Sequence, residues 1–371
     1  MDHQTTQLGK DLAKFRASIS GQKATIPNFY TVFPGWTPNI HPEYERARDE
    51  VLNPWIERWV PDPHTARKFQ KAEFGVFAAV ICAQASFEKL CTVSKAFAWY
   101  FIWDDLFDCG CLAGDTKAAR MYRERSMQYF RAVLCGMGPA PDLSDCSLEL
   151  KNALHCWDEV AAHLRVECSR ETLQVLMEKK LLYVSSVDTV DVSFQGKCIP
   201  SLTQYWRRRD RTAGVYPVIA TIPFIYGLQV SWRGLNNSLM RLLWRHTSYL
   251  VHMINDVFSL RKELADNQIE NMVPVLMLNE DVDCNQAVRL SHQLVQEAAR
   301  GFLEVEDNFS VITGQVDSGI SKAFIQGCKN VVMGLTHWSY SGERYFRNSE
   351  LNENSEIEFT IYVPTQNGCD W

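Results

Sequence analysis

Residues 97–108 read FAWYFIWDDLFD, and this stretch decides how the rest of the chain is to be understood. Three carboxylates close it, Asp104, Asp105 and Asp108. Phe97, Trp99, Tyr100, Phe101, Trp103 and Phe107 make half of it aromatic. Nothing in it breaks a helix. At about 100° per residue, Asp108 lies only about 40° round from Asp104, whereas Asp105 is turned about 100° away. Asp104 and Asp108 therefore share a face, and two carboxylates one turn apart repel unless a cation lies between them. Mg²⁺ suits such a pair, because it takes oxygen ligands and binds through one or two carboxylates plus substrate phosphates. The competing reading is a buried helix whose polar end reaches solvent.

Working outward, the 371 residues are 46% hydrophobic, 22% charged and 12% aromatic, an ordinary globular composition with material for a large core and a lined pocket. The net charge of −6 and the absence of a Lys/Arg block argue against nucleic acid as a partner. Twelve cysteines are scattered with no CxxC pair and no zinc pattern. Free thiols and a cytoplasmic location are the expectation, since the first residues are polar and carry no secretory signal. From Thr212 to Trp232 the chain carries no charge, but Gly214, Pro217, Pro223, Gly227 and Gln229 interrupt that run. It reads as a buried helical stretch with a break, not as an integral membrane segment.

Helical spacing dominates elsewhere, as in Phe69–Val93, Lys117–Leu134, Leu148–Val190, Gln286–Ile312 and Ser321–Trp338. Few runs alternate with period two, and no repeat or composition shift marks a boundary. The expected architecture is one all-α domain over residues 28–348, with a loose arm at 1–27 and a loose tail at 349–371.

A second polar run lies at His252–Glu263, HMINDVFSLRKE. Asn255, Ser259 and Glu263 recur every four residues and drift about 40° per step, so they point the same general way. An amide, a hydroxyl and one carboxylate form an oxygen set with a single negative charge, which suits Mg²⁺ sharing its other positions with phosphate and water. Lys262 stands beside the ladder. Its flanks, Leu250, Val251, Met253, Ile254, Val257 and Phe258, are apolar, which favours a cavity over solvent.

These residues carry a resemblance. NDVFSLRKE resembles the NDxxSxxKE motif of class I terpene synthases of the microbial type, and DDLFD is similar to that family's DDxxD motif. Arg344-Tyr345, preceded by Trp338, is similar to its C-terminal Arg-Tyr pair. Arg209, in YWRRRDRTAG, stands where such enzymes carry an arginine that senses diphosphate. The resemblance runs from about Asn39 to Tyr345.

It implies a single-domain antiparallel helical bundle around a central cavity, with both metal motifs at the mouth. It implies three Mg²⁺ ions and a prenyl diphosphate substrate that ionises to an allylic cation and cyclises. Farnesyl diphosphate and a sesquiterpene product follow from the family's habits. Asp104 is the implied first metal ligand, with Asp108 near it; Asp105 and Asp108 are alternatively lid contacts to arginines. Asn255, Ser259 and Glu263 are the implied ligands of another Mg²⁺. Arg209, Lys262, Arg344 and Tyr345 are the implied diphosphate contacts. Phe97, Tyr100, Phe101, Ala213 and Trp338 are the expected pocket wall.

No DxDD run is present, so protonation-initiated cyclisation is not expected. Two other functions stay open at this level: a prenyl chain-elongating transferase, and a non-catalytic helical protein that binds prenyl diphosphates. The subunit count is open, a homodimer included.

Overall fold

The computed structural model is mostly helical and describes residues 14–108, 110–194, 200–266, 268–312 and 318–362. The helices that form or support the central cavity are α1 (Phe74–Ile81), α2 (Phe87–Asp108), α3 (Thr116–Cys135), α4 (Arg170–Phe194) and α5 (Leu202–Thr212). They continue with α6 (Val215–Ile219), α7 (Ser238–Ala265), α8 (Met272–Glu280), α9 (Cys284–Ile312) and α10 (Ser318–Ser341). Along their lengths α7 packs on α9 and α10, α3 on α4, and α1 on both α2 and α10.

The ends of these helices follow from local chemistry. The 22-residue α2 contains neither Gly nor Pro and buries side chains all round, as a core helix does. At the start of α7, the Asn237 side chain accepts from the Met240 amide. A capping box between Ser201 and Gln204 opens α5. Two residues past its end, Gly214 takes φ 68°, where a Cβ would also meet the Tyr183 ring at 3.3 Å. That left-handed glycine is the break expected in the uncharged run. Beyond it the chain forms α6 and a second short helix, Ile222–Tyr226. Among the described residues no helix is long and apolar enough to cross a membrane.

Two expectations are corrected. The stretch Phe69–Val93 is not one helix: it divides at Ala72–Glu73 and again after Ile81. Glu73 adopts φ 52°, and the Ala72 carbonyl accepts from the Trp338 indole at 2.6 Å. A tertiary hydrogen bond thus replaces the one the helix would have made. The other concerns only continuity: Leu148–Val190 is helical as expected, in three pieces, Leu148–His155, Asp158–Glu167 and α4.

Parts of the two chain ends are ordered. Lys23–Ile26 (β1) pairs antiparallel with Ile357–Thr360 (β2), Ile26 opposite Ile357. Alternation turns Ala24, Ile26, Ile357 and Phe359 inward, and all four are buried. Four-residue strands are too short to stand out from sequence periodicity. Residues 1–13 of the arm and 363–371 of the tail lie outside the described residues, as does the Gln195–Ile199 connection. The nine cysteines within the described residues are free thiols.

Candidate active site

The C-terminal turn of α2 and the second half of α7 open onto one cavity of about 150 Å³. Asp104 and Asp108 come from α2, and Asn255, Ser259, Lys262 and Glu263 from α7. Arg209 enters from α5, and Arg344 and Tyr345 from the turn after α10. The two ladders read from helical spacing therefore meet across a shared opening. Phe97, Tyr100, Phe101 and Ala213 line the same cavity, as do Thr212 and Gly214 at the break.

Cationic and polar partners tie the two ladders together. Arg209 donates through Nη2 to Asn255 Oδ1 at 2.9 Å, and the Asn255 amide donates to the Tyr345 hydroxyl at 2.9 Å. Arg344 stands 3.6 Å from Asp105 and leans over the rings of Phe101 and Phe74. Its Nε is buried and has no hydrogen-bond partner among the described residues. Tyr183 donates to Asp104 Oδ1 at 3.2 Å, and Lys262 pairs with Asp266 at 2.8 Å. Asp105 thus faces an arginine and not the cavity.

Charge is poorly compensated at the end of α2. Desolvation, followed by the fields of Asp108 and Asp105, pushes the Asp104 carboxyl up to about 8, against the Tyr183 hydrogen bond and Arg209. Asp108 is exposed as a residue, yet its carboxyl points into the cavity mouth. There desolvation and Asp105 raise it, while Gln268, Lys262 and Arg344 pull it down. Glu263 is raised by desolvation and by Asp256, with Arg209, Asn271 and Ser259 opposing. Carboxylates crowded in this way bind a proton readily unless a cation replaces it.

The donor set fits a hard divalent cation, because every candidate ligand is an oxygen. Among the described residues no group of three His, Cys, Asp or Glu could hold a metal ion. A cation here must therefore draw on the amide of Asn255 and the hydroxyl of Ser259, and on oxygens that a substrate brings.

Three functional groups escaped the sequence reading. Asp256 follows Asn255 but is turned to the other side of α7 and is wholly buried. Its Oδ1 accepts from Arg209 Nε at 2.9 Å and Nη2 at 2.6 Å, and its Oδ2 from the Met272 amide at 2.8 Å and the Tyr205 hydroxyl. Burial would lower the Arg209 pKa, but Asp256, Tyr205 and Glu263 outweigh it and the pKa rises, so the guanidinium stays charged. Tyr205 and Tyr183 are the other two groups. The only signal was the adjacency of Asp256 to the ladder, about 100° round the helix.

Trp338 is placed behind the wall and does not line the cavity. It backs Phe101 at 5.3 Å and Phe74 at 5.7 Å between ring centroids. The lining in turn gains Phe77, Val218, Val251, Val331 and Leu335. Behind Tyr100 lies Lys180, fully buried, its Nζ 3.6 to 4.8 Å from the ring centroids of Trp99, Tyr100, Trp157 and Phe130. No hydrogen-bond partner reaches that amine among the described residues, and desolvation lowers its pKa well below the ordinary lysine value.

Comparison with known proteins gives a consistent result. Residues 95–300 match the family described as terpene synthase family 2, C-terminal metal binding. Terpene cyclase braA of Annulohypoxylon truncatum is 24% identical over 352 residues, which cover 91% of this chain and 90% of that protein. Germacrene A synthase of Nostoc punctiforme is 23% identical, over 90% of this chain and 98% of its own. The crystal structure of linalool/nerolidol synthase from Streptomyces clavuligerus superposes with a TM-score of 0.70 at 17% identity, covering 82% of this chain and 98% of that one. At that identity the likeness speaks for the fold.

Proposed function

This chain belongs to terpene synthase family 2 and is a terpene synthase, and on that premise we propose that it ionises farnesyl diphosphate with Mg²⁺ and cyclises the cation to a sesquiterpene. The observation that carries the reading is the convergence of Asp104 and Asp108 with Asn255, Ser259 and Glu263 on one cavity that also holds Arg209, Lys262, Arg344 and Tyr345. Residues 28–348 form the catalytic unit in this proposal. The arm 1–27 and the tail 349–371 lie outside that unit, Lys23–Ile26 of the one pairing with Ile357–Thr360 of the other, and the enzyme works in the cytoplasm.

Asp104, Asp108, Asn255, Ser259 and Glu263 would hold the metal ions, three in number. When bound, Mg²⁺ supplies positive charge that makes diphosphate a competent leaving group. Arg209, Lys262, Arg344 and Tyr345 donate hydrogen bonds to the same group, strongest as its charge grows when the C–O bond breaks. Arg209 keeps its Asp256 clamp through Nε and Nη2 and releases Asn255 Oδ1 for the metal, while Lys262 and Arg344 turn from Asp266 and Asp105. Phe97, Tyr100 and Phe101 then face the allylic cation with ring density that stabilises charge without capturing it. The apolar remainder excludes water that would quench it early.

The test is incubation with Mg²⁺ and geranyl, farnesyl or geranylgeranyl diphosphate, followed by gas chromatography. Cyclic fifteen-carbon products from farnesyl diphosphate are expected. Longer prenyl diphosphates formed only with isopentenyl diphosphate would instead assign chain elongation.

A further inference from the structure

Asn271 lies in the turn between α7 and α8 and is completely buried, and its amide makes three hydrogen bonds that use both donor hydrogens and the oxygen. Its Oδ1 accepts from the Val273 amide at 2.9 Å, capping α8. Its Nδ2 donates twice: to the Asp256 carbonyl at 2.6 Å and to Glu263 Oε2 at 2.9 Å. Asp256 is the residue whose carboxylate clamps Arg209, and Glu263 is the last member of the α7 ladder.

The identity of the side chain matters. For the cap alone, Ser or Asp would serve as well as Asn. Neither could serve both other partners. Serine has one hydrogen to give and a shorter reach, and aspartate would set a third carboxylate against Glu263 and Asp256. Glutamine would be one methylene too long for a site closed on three sides. Only an asparagine combines one capping acceptor with two donors at this position.

We infer that Asn271 is a positioning residue for metal binding: it fixes the Glu263 carboxylate by one oxygen, turns the other toward Ser259 and Asn255, and ties that ladder to the backbone that carries the Arg209 clamp. The inference rests on the assignment of Glu263 as a metal ligand. Partners of this kind, standing behind a ligand, alter metal affinity by about 10–100-fold when removed.

The test is a titration of Mg²⁺ in the presence of inorganic diphosphate, read as the rise in melting temperature of the full-length protein. Wild type is compared with Asn271→Ser, Asn271→Asp and Glu263→Gln. Asn271→Ser and Asn271→Asp both keep a capping oxygen. Their Mg²⁺ midpoints are expected to rise about 10–100-fold, Asn271→Asp the more because of like-charge repulsion. In turnover assays the same variants should lose affinity for Mg²⁺ more than kcat. A lower melting temperature without Mg²⁺, together with an unchanged Mg²⁺ midpoint in both Asn271 variants, would reduce Asn271 to a helix cap and overturn the inference. An unchanged midpoint in Glu263→Gln as well would overturn the ligand assignment beneath it. Should Asn271→Ser not fold, Asn271→Asp carries the comparison alone.

Discussion

At the mouth of the cavity each cation is matched by an acid: Arg209 with Asp256 and Arg344 with Asp105 from other elements, and Lys262 with Asp266 one turn along α7. Behind Tyr100, the fully buried Lys180 has four aromatic rings for neighbours and no hydrogen-bond partner among the described residues. The mouth keeps its cations charged, because Arg209, Lys262 and Arg344 each find an acid, while its crowded carboxylates Asp104, Asp108 and Glu263 are pushed up by desolvation. The back wall drives its amine toward neutrality, because rings alone replace the lost water less well than a carboxylate would. The difference fits a catalyst that must grip a polyanion at one end and shelter a cation at the other. A second fixed positive charge behind Tyr100 would repel that cation.

The comparison breaks most visibly at the mouth. Asp104→Asn and Asn255→Ala are each expected to lower turnover by about 10³-fold or more, with helicity unchanged by circular dichroism. Loss of one preorganised charge-stabilising contact commonly costs about 10²–10³-fold, and these two also remove a metal ligand. Wild-type rates in either variant would defeat the site assignment. Asp256→Ala comes next. It leaves Arg209 without its buried counter-ion, which typically costs about 3–5 kcal/mol of stability. Denaturant unfolding should show that loss, together with weaker binding of inorganic diphosphate.

The back wall should respond with the opposite sign. Lys180→Met removes a buried amine whose charged form burial disfavours, so the variant should melt higher than wild type at pH 7. The folded pKa of Lys180 is depressed, so between that value and the ordinary lysine value the unfolded chain holds a proton that the folded chain lacks. Wild-type stability therefore rises with pH across that window, by at most about 1.4 kcal/mol per pH unit. The advantage of Lys180→Met should shrink as pH approaches about 10. A gap independent of pH would mean that the amine stays protonated inside its ring of aromatics. The smallest effect on rate is expected at Phe97→Leu, which should change the product mixture while turnover falls by at most about 30-fold, since one ring contributes about 0.5–2 kcal/mol to cation stabilisation. An unchanged product profile would remove Phe97 from the wall.

The same two regions show what sequence alone could carry. The mouth was legible because its residue types are unusual in an apolar helix and recur at four-residue spacing, so Asp104, Asp108, Asn255, Ser259 and Glu263 could be placed on shared faces. The wall was legible only in part. A ring on a core helix looks the same whether it faces a cavity or a neighbour, which is why Trp338 was expected in the lining but stands behind it. Tyr183, Tyr205, Asn271 and Lys180 carried no spacing signal, because each acts through a contact made only when distant helices pack. The break at Glu73 was invisible for the same reason: its compensating donor, Trp338, lies far away in sequence.

The account stands or falls on whether the two ladders grip one metal–diphosphate cluster. Anomalous diffraction from crystals of the protein soaked with Mn²⁺ and inorganic diphosphate tests this directly. The predicted result is metal density against Asp104 and against Asn255, Ser259 and Glu263, with one diphosphate between them in contact with Arg209 and Arg344. Metal bound at only one ladder, or a diphosphate held elsewhere, would contradict it.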